Sequence, residues 1–405
     1  MAKRIAAIAV AVCMALVSAG AAVSAELISR VKEIKSPLLN SPALVLRGGE
    51  FKLVVAGGKQ IARAELSATA DASAKVALGL SAAGDENGRA AFSASVPQGA
   101  AAGLYDLSVF FADGSSDSQP HAVKVFDEFK KDFHFIHFTD MHFNTGDPEQ
   151  NEARAKVIRS MCDSKPEFIV FSGDLGLRPA TYDADYPFAY EQLAARMTEP
   201  VFLVPGNHEM YVDNNFTPSI DGLNHWNATF DVKNMAFDYG SLHVVGINNF
   251  EWEANFRDWW NIDNAFFGTQ GLARIMPEQW KWLVADLKGA KGRASDTVAF
   301  MHVPLDTFAG GRVIGLKDRQ KISGPDKERF VALMNEFGVS HVFVGHMHWN
   351  EEKQYGNMKQ IMTLTAGSGG DKKWGYRKVY VKDGKVAGWD VVTFAPDGAN
   401  LTPIY

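Results

Sequence analysis

Six short apolar runs are spread along residues 133–346: FHFIHFT, FIVFSG, VFLVPG, LHVVGIN, TVAFMHV and HVFVGH. Each has the length of a strand, is rich in β-branched and aromatic residues, and is closed by a turn-forming or polar residue, as buried strands are. Stretches of helical periodicity separate them. In MPEQWKWLVADLKGAKG, Pro277 suits a first helical turn, and Trp280, Leu283, Val284 and Leu287 fall on one face, as core residues do. Strands that alternate with helices bury their apolar surfaces by stacking in layers, so the pattern predicts an α/β layered domain.

The second constraint is where those strands stop. FIHFTDMH ends in Asp140 and His142, FIVFSGDL in Gly173 and Asp174, and VFLVPGNHE in Asn207 and His208. TVAFMHVP ends in His302, and HVFVGHMHW in His346 and His348. Ligands of layered α/β sheets bind beyond the carboxyl ends of the strands, so five exits of this kind predict one assembled site. Two Asp, one Asn and four His, with no thiolate, form a donor set suited to Mn, Fe, Zn or a similar divalent ion. Seven donors exceed the roughly four to six that one such ion takes. They suit two ions about 3.5–4 Å apart that share a carboxylate. A single GD dipeptide, or one strand-end His, would more simply be a surface or core residue. The weight lies in five of them in order.

The beginning of the chain has a different rhythm. MAKR, an apolar run from Ile5 to about Val23, and VSAEL match a secretory signal peptide cleaved after Ala25, with a retained membrane anchor as the alternative. Val12 before Cys13 argues against a lipoprotein attachment site. Cleavage implies a periplasmic or secreted location and leaves 39 basic against 47 acidic residues, or −8. That balance offers no electrostatic footprint for nucleic acid. Cys162 remains alone, which rules out an internal disulfide, and in AKVIRSMCDSKP it reads as a small core residue. No later apolar segment is long enough to span a bilayer, so no transmembrane anchor is expected in the mature chain.

From Glu26 to Phe126, short alternating segments such as RAAFSASVP and LYDLSVFFAD are separated by turns at Gly48-Gly49, GDENG and PQGAAAG. They predict a small antiparallel β-sandwich. Residues 127–132 read as a linker and 133–405 as the second domain. No candidate ligand precedes residue 133, so the sandwich is expected to be separable from the rest.

The ordered series D-x-H, G-D, G-N-H-E, H and G-H-x-H resembles the calcineurin-like metallophosphoesterase superfamily over about residues 133–390. GLYDLSV resembles, more loosely, a late strand of an immunoglobulin- or fibronectin-like domain in which a Tyr stabilises a corner. The resemblance implies a four-layer α-β-β-α sandwich preceded by a small all-β immunoglobulin-like domain. It implies that Asp140, His142 and His348 hold one divalent metal ion, that Asn207, His302 and His346 hold a second, and that Asp174 bridges them. Gly173 and Gly206 would let the backbone turn beneath the ions. His208 would face the substrate and stabilise or protonate the leaving oxygen. The reaction implied is in-line attack on a phosphate mono- or diester by a metal-bridging hydroxide, without a covalent phosphoenzyme. Glu209 is expected either to orient its loop or to be a surface or capping residue.

The chain also departs from branches of that superfamily. Purple acid phosphatases carry an N-terminal β-sandwich too, but place a Tyr three residues after the bridging Asp, where this chain has Leu177. An iron–tyrosinate site is therefore not supported. Phosphoprotein phosphatases place there an Asp that orients the catalytic His, followed by a phosphate-binding Arg. Here Arg178 follows Leu177, as a candidate substrate contact or a surface charge before Pro179. His134, His137, His243 and His341 fall inside strands and His225 in a polar insert, so they read as structural. The aromatic stretch between Tyr211 and Phe267 reads as a packed subdomain core, with a substrate groove as the alternative. AGSGGDKKWGYRK, after the last motif, resembles a strand and loop that approach the site. The function expected is that of an exported phosphoesterase with two metal ions. The alternative is a non-catalytic cell-envelope binding protein on the same scaffold; filled ligand positions favour the enzyme.

Overall fold

The computed structural model describes residues 27–176, 181–211, 221–251, 272–309, 312–316 and 326–402. Nine strands come first: β1 (Ile34–Ser36), β2 (Ala43–Leu46), β3 (Glu50–Ala56), β4 (Ile61–Ala68), β5 (Asp71–Ala77), β6 (Gly79–Glu86), β7 (Arg89–Ser95), β8 (Gly103–Phe111) and β9 (Ser116–Phe126). They form one sheet of order β1-β3-β7-β6 and another of order β2-β9-β8-β4-β5, antiparallel throughout except for β2 beside β9. The period-2 pattern read from the sequence accounts for the shared core. In β8, Tyr105, Leu107, Val109 and Phe111 are buried while Asp106, Ser108 and Phe110 are not. These four meet Leu53, Val55 and Leu66 from neighbouring strands. The Tyr105 hydroxyl donates to the Ala101 carbonyl at 2.8 Å.

Residues 127–132 are anchored. Phe129 packs against Phe126 and Tyr239, with ring centroids 5.5 and 5.1 Å apart, and Lys130 pairs with Glu167 at 2.6 Å. Further contacts join the first two sheets to the rest of the chain. Leu203 donates its N–H to the Asn40 carbonyl at 3.0 Å, Arg30 donates its N–H to Ala228 at 2.8 Å, and Lys124 pairs with Glu199 at 2.5 Å. Leu39 is buried within the core of the α/β part. The separable sandwich expected from the sequence therefore shares a buried interface with its neighbour, which no motif could reveal.

The α/β part follows as β10 (Phe133–Phe138), α1 (Pro148–Asp163), β11 (Ile169–Phe171), α2 (Tyr182–Arg196), β12 (Val201–Leu203), α3 (Gly222–Thr229), β13 (Met235–Tyr239), β14 (Leu242–Gly246), β15 (Leu272–Ala273), α4 (Pro277–Ala290), β16 (Asp296–Phe300), β17 (Thr307–Ala309), β18 (Arg312–Leu316), α5 (Asp326–Glu336), β19 (Val339–Val344), β20 (Glu351–Tyr355), β21 (Met358–Met362), β22 (Trp374–Lys382) and β23 (Lys385–Phe394). One mixed sheet has the order β12-β11-β10-β22-β23 and the other β13-β14-β16-β19-β21-β20. Strands β10, β11 and β12 are parallel, as are β14, β16, β19 and β21.

The two sheets face each other. Phe135, Phe168 and Phe202 share a core with Val244, Phe300 and Phe343, and Phe135 lies edge-on to Phe343 at 5.9 Å. On the opposite faces, Ile136 and Phe138 share a core with Val157 and Met161 of α1, and Val342 with Leu287 of α4 and Phe330 of α5. The layers thus run helix, sheet, sheet, helix. Cys162 lies buried in α1, and burial pushes its thiol pKa up. No described helix is long and apolar enough to cross a membrane.

Candidate metal centre

The loops that leave β10 and β11 go on pairing after the strands end. Asp140 donates its N–H to Gly173 at 2.9 Å and His142 to Asp174 at 3.0 Å. The second sheet is tied in by the His346 N–H, which donates to Asp140 Oδ2 at 3.0 Å, and within that sheet Gly345 joins the β19 exit to the β16 exit by donating to the His302 carbonyl at 2.9 Å. Three overlapping groups result: Asp140, His142 and His348; His142, Asp174 and His208; Asp174, His302 and His346. Within each, the donor atoms lie within 4.8 Å of one another. The structure thus gathers all the strand-end residues in one place, with Asn207 Oδ1 2.8 Å from His346 Nδ1.

Convergence this tight demands unusual backbone. Ten non-glycine residues among those described have left-handed φ, and five of them are here: Asp140 (54°), His142 (51°), Asp174 (62°), His346 (73°) and His348 (62°). Each costs roughly 1–2 kcal/mol. Gly173 has φ +103°, and a Cβ there would stand 2.6 Å from both Gly206 Cα and His302 Nδ1. Gly206 is equally confined: its Cβ would stand 2.3 Å from Asp174 Oδ1.

Outer partners aim the imidazoles. His142 donates Nδ1–H to the Gly176 carbonyl at 3.3 Å, His302 to Ser172 at 2.7 Å, and His348 to Asp371 Oδ2 at 2.7 Å. Each leaves Nε2 facing the carboxylates, the arrangement that metal-ligating histidines need. The Asn207 amide is held by its Nδ2–H, which donates to the Tyr211 hydroxyl at 2.5 Å. Asp140 Oδ1 stands 3.2 Å from His348 Nε2, 3.8 Å from His142 Nε2 and 3.9 Å from His302 Nε2, yet takes no directed hydrogen bond. His302 Nε2, 3.1 Å from Asp174 Oδ2, is likewise buried without one. Buried polar atoms are almost always satisfied. Ions bound at about 2.0–2.2 Å hold their donor atoms at about this spacing, so these orphaned atoms fit metal.

The electrostatics agree. Burial alone would raise the Asp140 carboxyl, but His348 and His302 outweigh it and hold it at about 2. Asp174 is held well below the usual range, its burial outweighed by His302 and His208. Burial opposes charge on His302, but Asp174 and Asp140 raise it to about 9. Asp140 and Asp371 likewise overcome burial at His348 and raise it to about 10. Burial, with a neighbouring imidazole in each case, lowers His142 to about 4 and His346 to about 3. Two carboxylates thus draw positive charge into a buried pocket.

Glu209, with surface or capping as one sequence reading, is buried. Its two oxygens accept from four main-chain N–H groups: Asp174 (2.8 Å), Leu175 (2.7 Å), Gly176 (2.9 Å) and Gly206 (2.7 Å). It clasps the Asp174 loop to the Asn207 loop. Burial and the charge of Asp174 raise its carboxyl pKa.

His208 is open, with 27% of its side chain exposed against none for Asp140 and His302, and of the ligand set His348 comes near it at 25%. Its Nε2 is 3.8 Å from Asp174 Oδ2, and its ring stands edge-on to His142 at 4.9 Å and to Tyr211 at 5.3 Å. Its N–H donates to Asp174 Oδ1 at 2.9 Å, and its carbonyl accepts from the Tyr182 hydroxyl. The sequence named no orienting group; the structure supplies these main-chain anchors. Asp371, Tyr182 and Tyr211 had no role in the sequence reading, although Asp371 lies in the segment expected to approach the site.

Arg178 and Leu177 lie outside the described residues, as do Phe216, Trp252, Phe256, Trp259, Trp260, Phe266 and Phe267. Trp226 and Phe250, of the same aromatic stretch, are buried. His137 sits between the sheets, bonded to Thr363 and Ser172. His243 lies between Asp238 at 2.8 Å and Asp286 at 2.9 Å.

The sequence model of the family described as "Calcineurin-like phosphoesterase" matches residues 133–350, just over half of the chain. No curated protein matches the sequence. Among solved structures, a purple acid phosphatase from yellow lupin (Lupinus luteus) seeds is similar with TM-score 0.50 and 13% identity, covering 85% of this chain and 72% of that one. A dimetal phosphatase from Danio rerio has TM-score 0.48 and 13% identity, over 66% and 98% of the two chains. Residues 133–405 make up about two thirds of the chain, so the lupin likeness reaches into the first two sheets. This chain belongs to the calcineurin-like phosphoesterase family, and it is a metal-dependent phosphoesterase.

Proposed function

We propose that this protein is an exported hydrolase of phosphate mono- or diesters that works with two divalent ions. Asp140, His142 and His348 would hold the first ion, Asn207, His302 and His346 the second, and Asp174 would bridge them. The observation that carries this reading is the orphaned pair of buried atoms, Asp140 Oδ1 and His302 Nε2, at the centre of the cluster. When bound, two such ions supply hydroxide near neutral pH and neutralise phosphoryl charge. The chain's own residues do the rest. Asp140 and Asp174 set the charge of the pocket, Glu209 fixes the distance between two ligand loops, and His208 presents an exposed imidazole on the solvent side of Asp174. From there it donates a proton to the departing oxygen. Arg178 is a candidate substrate contact.

Residues 1–25 are read as an export signal, placing the mature protein in the periplasm or outside the cell. Residues 26–126 are read as an immunoglobulin-like domain; the bond from Tyr105 to Ala101 supports this, since a tyrosine corner bonds back to main chain a few residues upstream.

The test uses esters of rising leaving-group pKa. General-acid help is worth about 10²–10⁴-fold. His208→Ala is expected to cost little on an activated aryl ester and progressively more toward alkyl esters, with metal content per chain unchanged. Equal loss across the series would refute the leaving-group role. Full activity of the wild-type protein after its metal has been stripped would refute the metal-dependent reading.

A further inference from the structure

We propose that Tyr211 is a further catalytic residue, its phenol O–H donating a hydrogen bond to a phosphoryl oxygen of the bound ester. The proposal rests on the reading of this site as a phosphoesterase centre with metal held by Asn207. A phenol has one proton to donate and lone pairs to accept with. Here the acceptor side is used: Asn207 Nδ2–H points into the hydroxyl oxygen at 2.5 Å. The donor side is not: among the described residues no acceptor takes the Tyr211 proton.

The phenol is well placed to use it. The oxygen of the same Asn207 amide is 2.8 Å from His346 Nδ1, so the phenol sits one amide group away from a metal-facing donor atom. Its ring stands edge-on to His208 at 5.3 Å and to Phe250 at 5.9 Å, between the imidazole that faces solvent and a buried core residue. Its main chain is fixed by the turn from Asn207 to Met210 (3.1 Å) and by Gly222, whose N–H donates to the Tyr211 carbonyl at 2.9 Å. A half-buried hydroxyl with a spare proton, held rigidly beside a cluster built for cations that would in turn attract an anion, is matched by a phosphoryl group with several oxygens and spread negative charge. Such preorganised donors act where charge develops. The imidazole of His208 and the phenol of Tyr211 would then divide the work, one serving the leaving oxygen and the other the transferred group.

A simpler role is to prop the Asn207 amide, and the test separates the two. Tyr211→Phe removes the hydroxyl and keeps the ring packing. With the metal-saturated protein, kcat is expected to fall roughly 10²–10³-fold, with KM changed much less and both ions retained. Inhibition by orthovanadate should weaken in step. The loss should be the same for every leaving group, unlike that of His208→Ala. Unchanged kcat and unchanged vanadate inhibition would overturn the assignment. So would a loss that added metal restores in full, because Tyr211 would then only hold the amide. An active wild type with an equally active variant overturns this proposal alone; a wild type inert on every ester with both ions bound overturns the phosphoesterase reading and this proposal with it.

Discussion

Glu209→Gln preserves side-chain volume and changes one atom from acceptor to donor. In the wild type each carboxylate oxygen takes two main-chain N–H groups, from Asp174 and Gly206 on one side and Leu175 and Gly176 on the other. The amide can serve only one side. On the other, two buried N–H groups lose a charged acceptor and meet a donor. Hydrogen bonds to charged groups contribute about 1.5–3 kcal/mol each, so the loss is about 3–6 kcal/mol. Part is returned, because a neutral amide escapes the burial and the Asp174 repulsion that raise the carboxyl pKa. The net expectation is a destabilisation below about 6 kcal/mol, a large share of the roughly 5–15 kcal/mol that holds a domain folded. Both ligand loops should loosen together. Urea unfolding of the metal-loaded and metal-free variant, with metal content after dialysis, measures both effects. A wild-type unfolding midpoint with two ions retained, or loss of one ion only, would refute the reasoning.

Gly173→Ala should destabilise by at least about 2 kcal/mol through its positive φ and crowding, whereas Gly370→Ala, with open space around its Cβ, should leave the urea midpoint unchanged. Asp371→Asn should weaken metal at the Asp140–His142–His348 site about 10–100-fold and leave the other site unchanged, as followed by competitive metal titration. His243, where Asp238 and Asp286 overcome burial, is raised to about 9 from an unfolded value of 6.5. Its contribution, on the order of 3 kcal/mol, is full below pH 6.5 and lost as pH rises through about 9; His243→Gln should flatten that decline in unfolding free energy. A chain starting at Lys130 would lack Leu39, Asn40 and Phe126 from the shared interface, and should melt several degrees below the full protein; equal melting temperatures would show that the interface contributes nothing.

The layered fold was legible because apolar runs of strand length, closed by one or two polar or turn-forming residues, can be buried in few ways. β10, β11, β12, β16 and β19 end where the sequence turns to Asp, Asn or His, and the one helix read in detail is α4. What the sequence concealed is of two kinds. Some contacts join residues far apart in the chain, with no local pattern to mark them: His348 to Asp371, His208 to Tyr182, Leu203 to Asn40. Others depend on depth. Glu209 carries the composition of a surface residue, and only its burial under four N–H groups shows that it is a clasp. Tyr211 read as the start of an aromatic insert because its hydroxyl, not its ring, is what the site engages.

Why the ligand motifs are so compact follows from the backbone. A strand that delivers a side chain to a shared centre and then leaves at once must turn sharply, and here it does so in left-handed conformations at Asp140, His142, Asp174, His346 and His348. Among residues other than glycine, Asp, Asn and His tolerate that region best. They are also the side chains that hard and borderline divalent ions require. Chemistry and conformation therefore select the same residue types at these five positions, and each of these ligands can double as its own turn. The remaining strain and the unpaired atoms Asp140 Oδ1 and His302 Nε2 are what bound cations would offset, so folding and metal binding at this site draw on the same free energy.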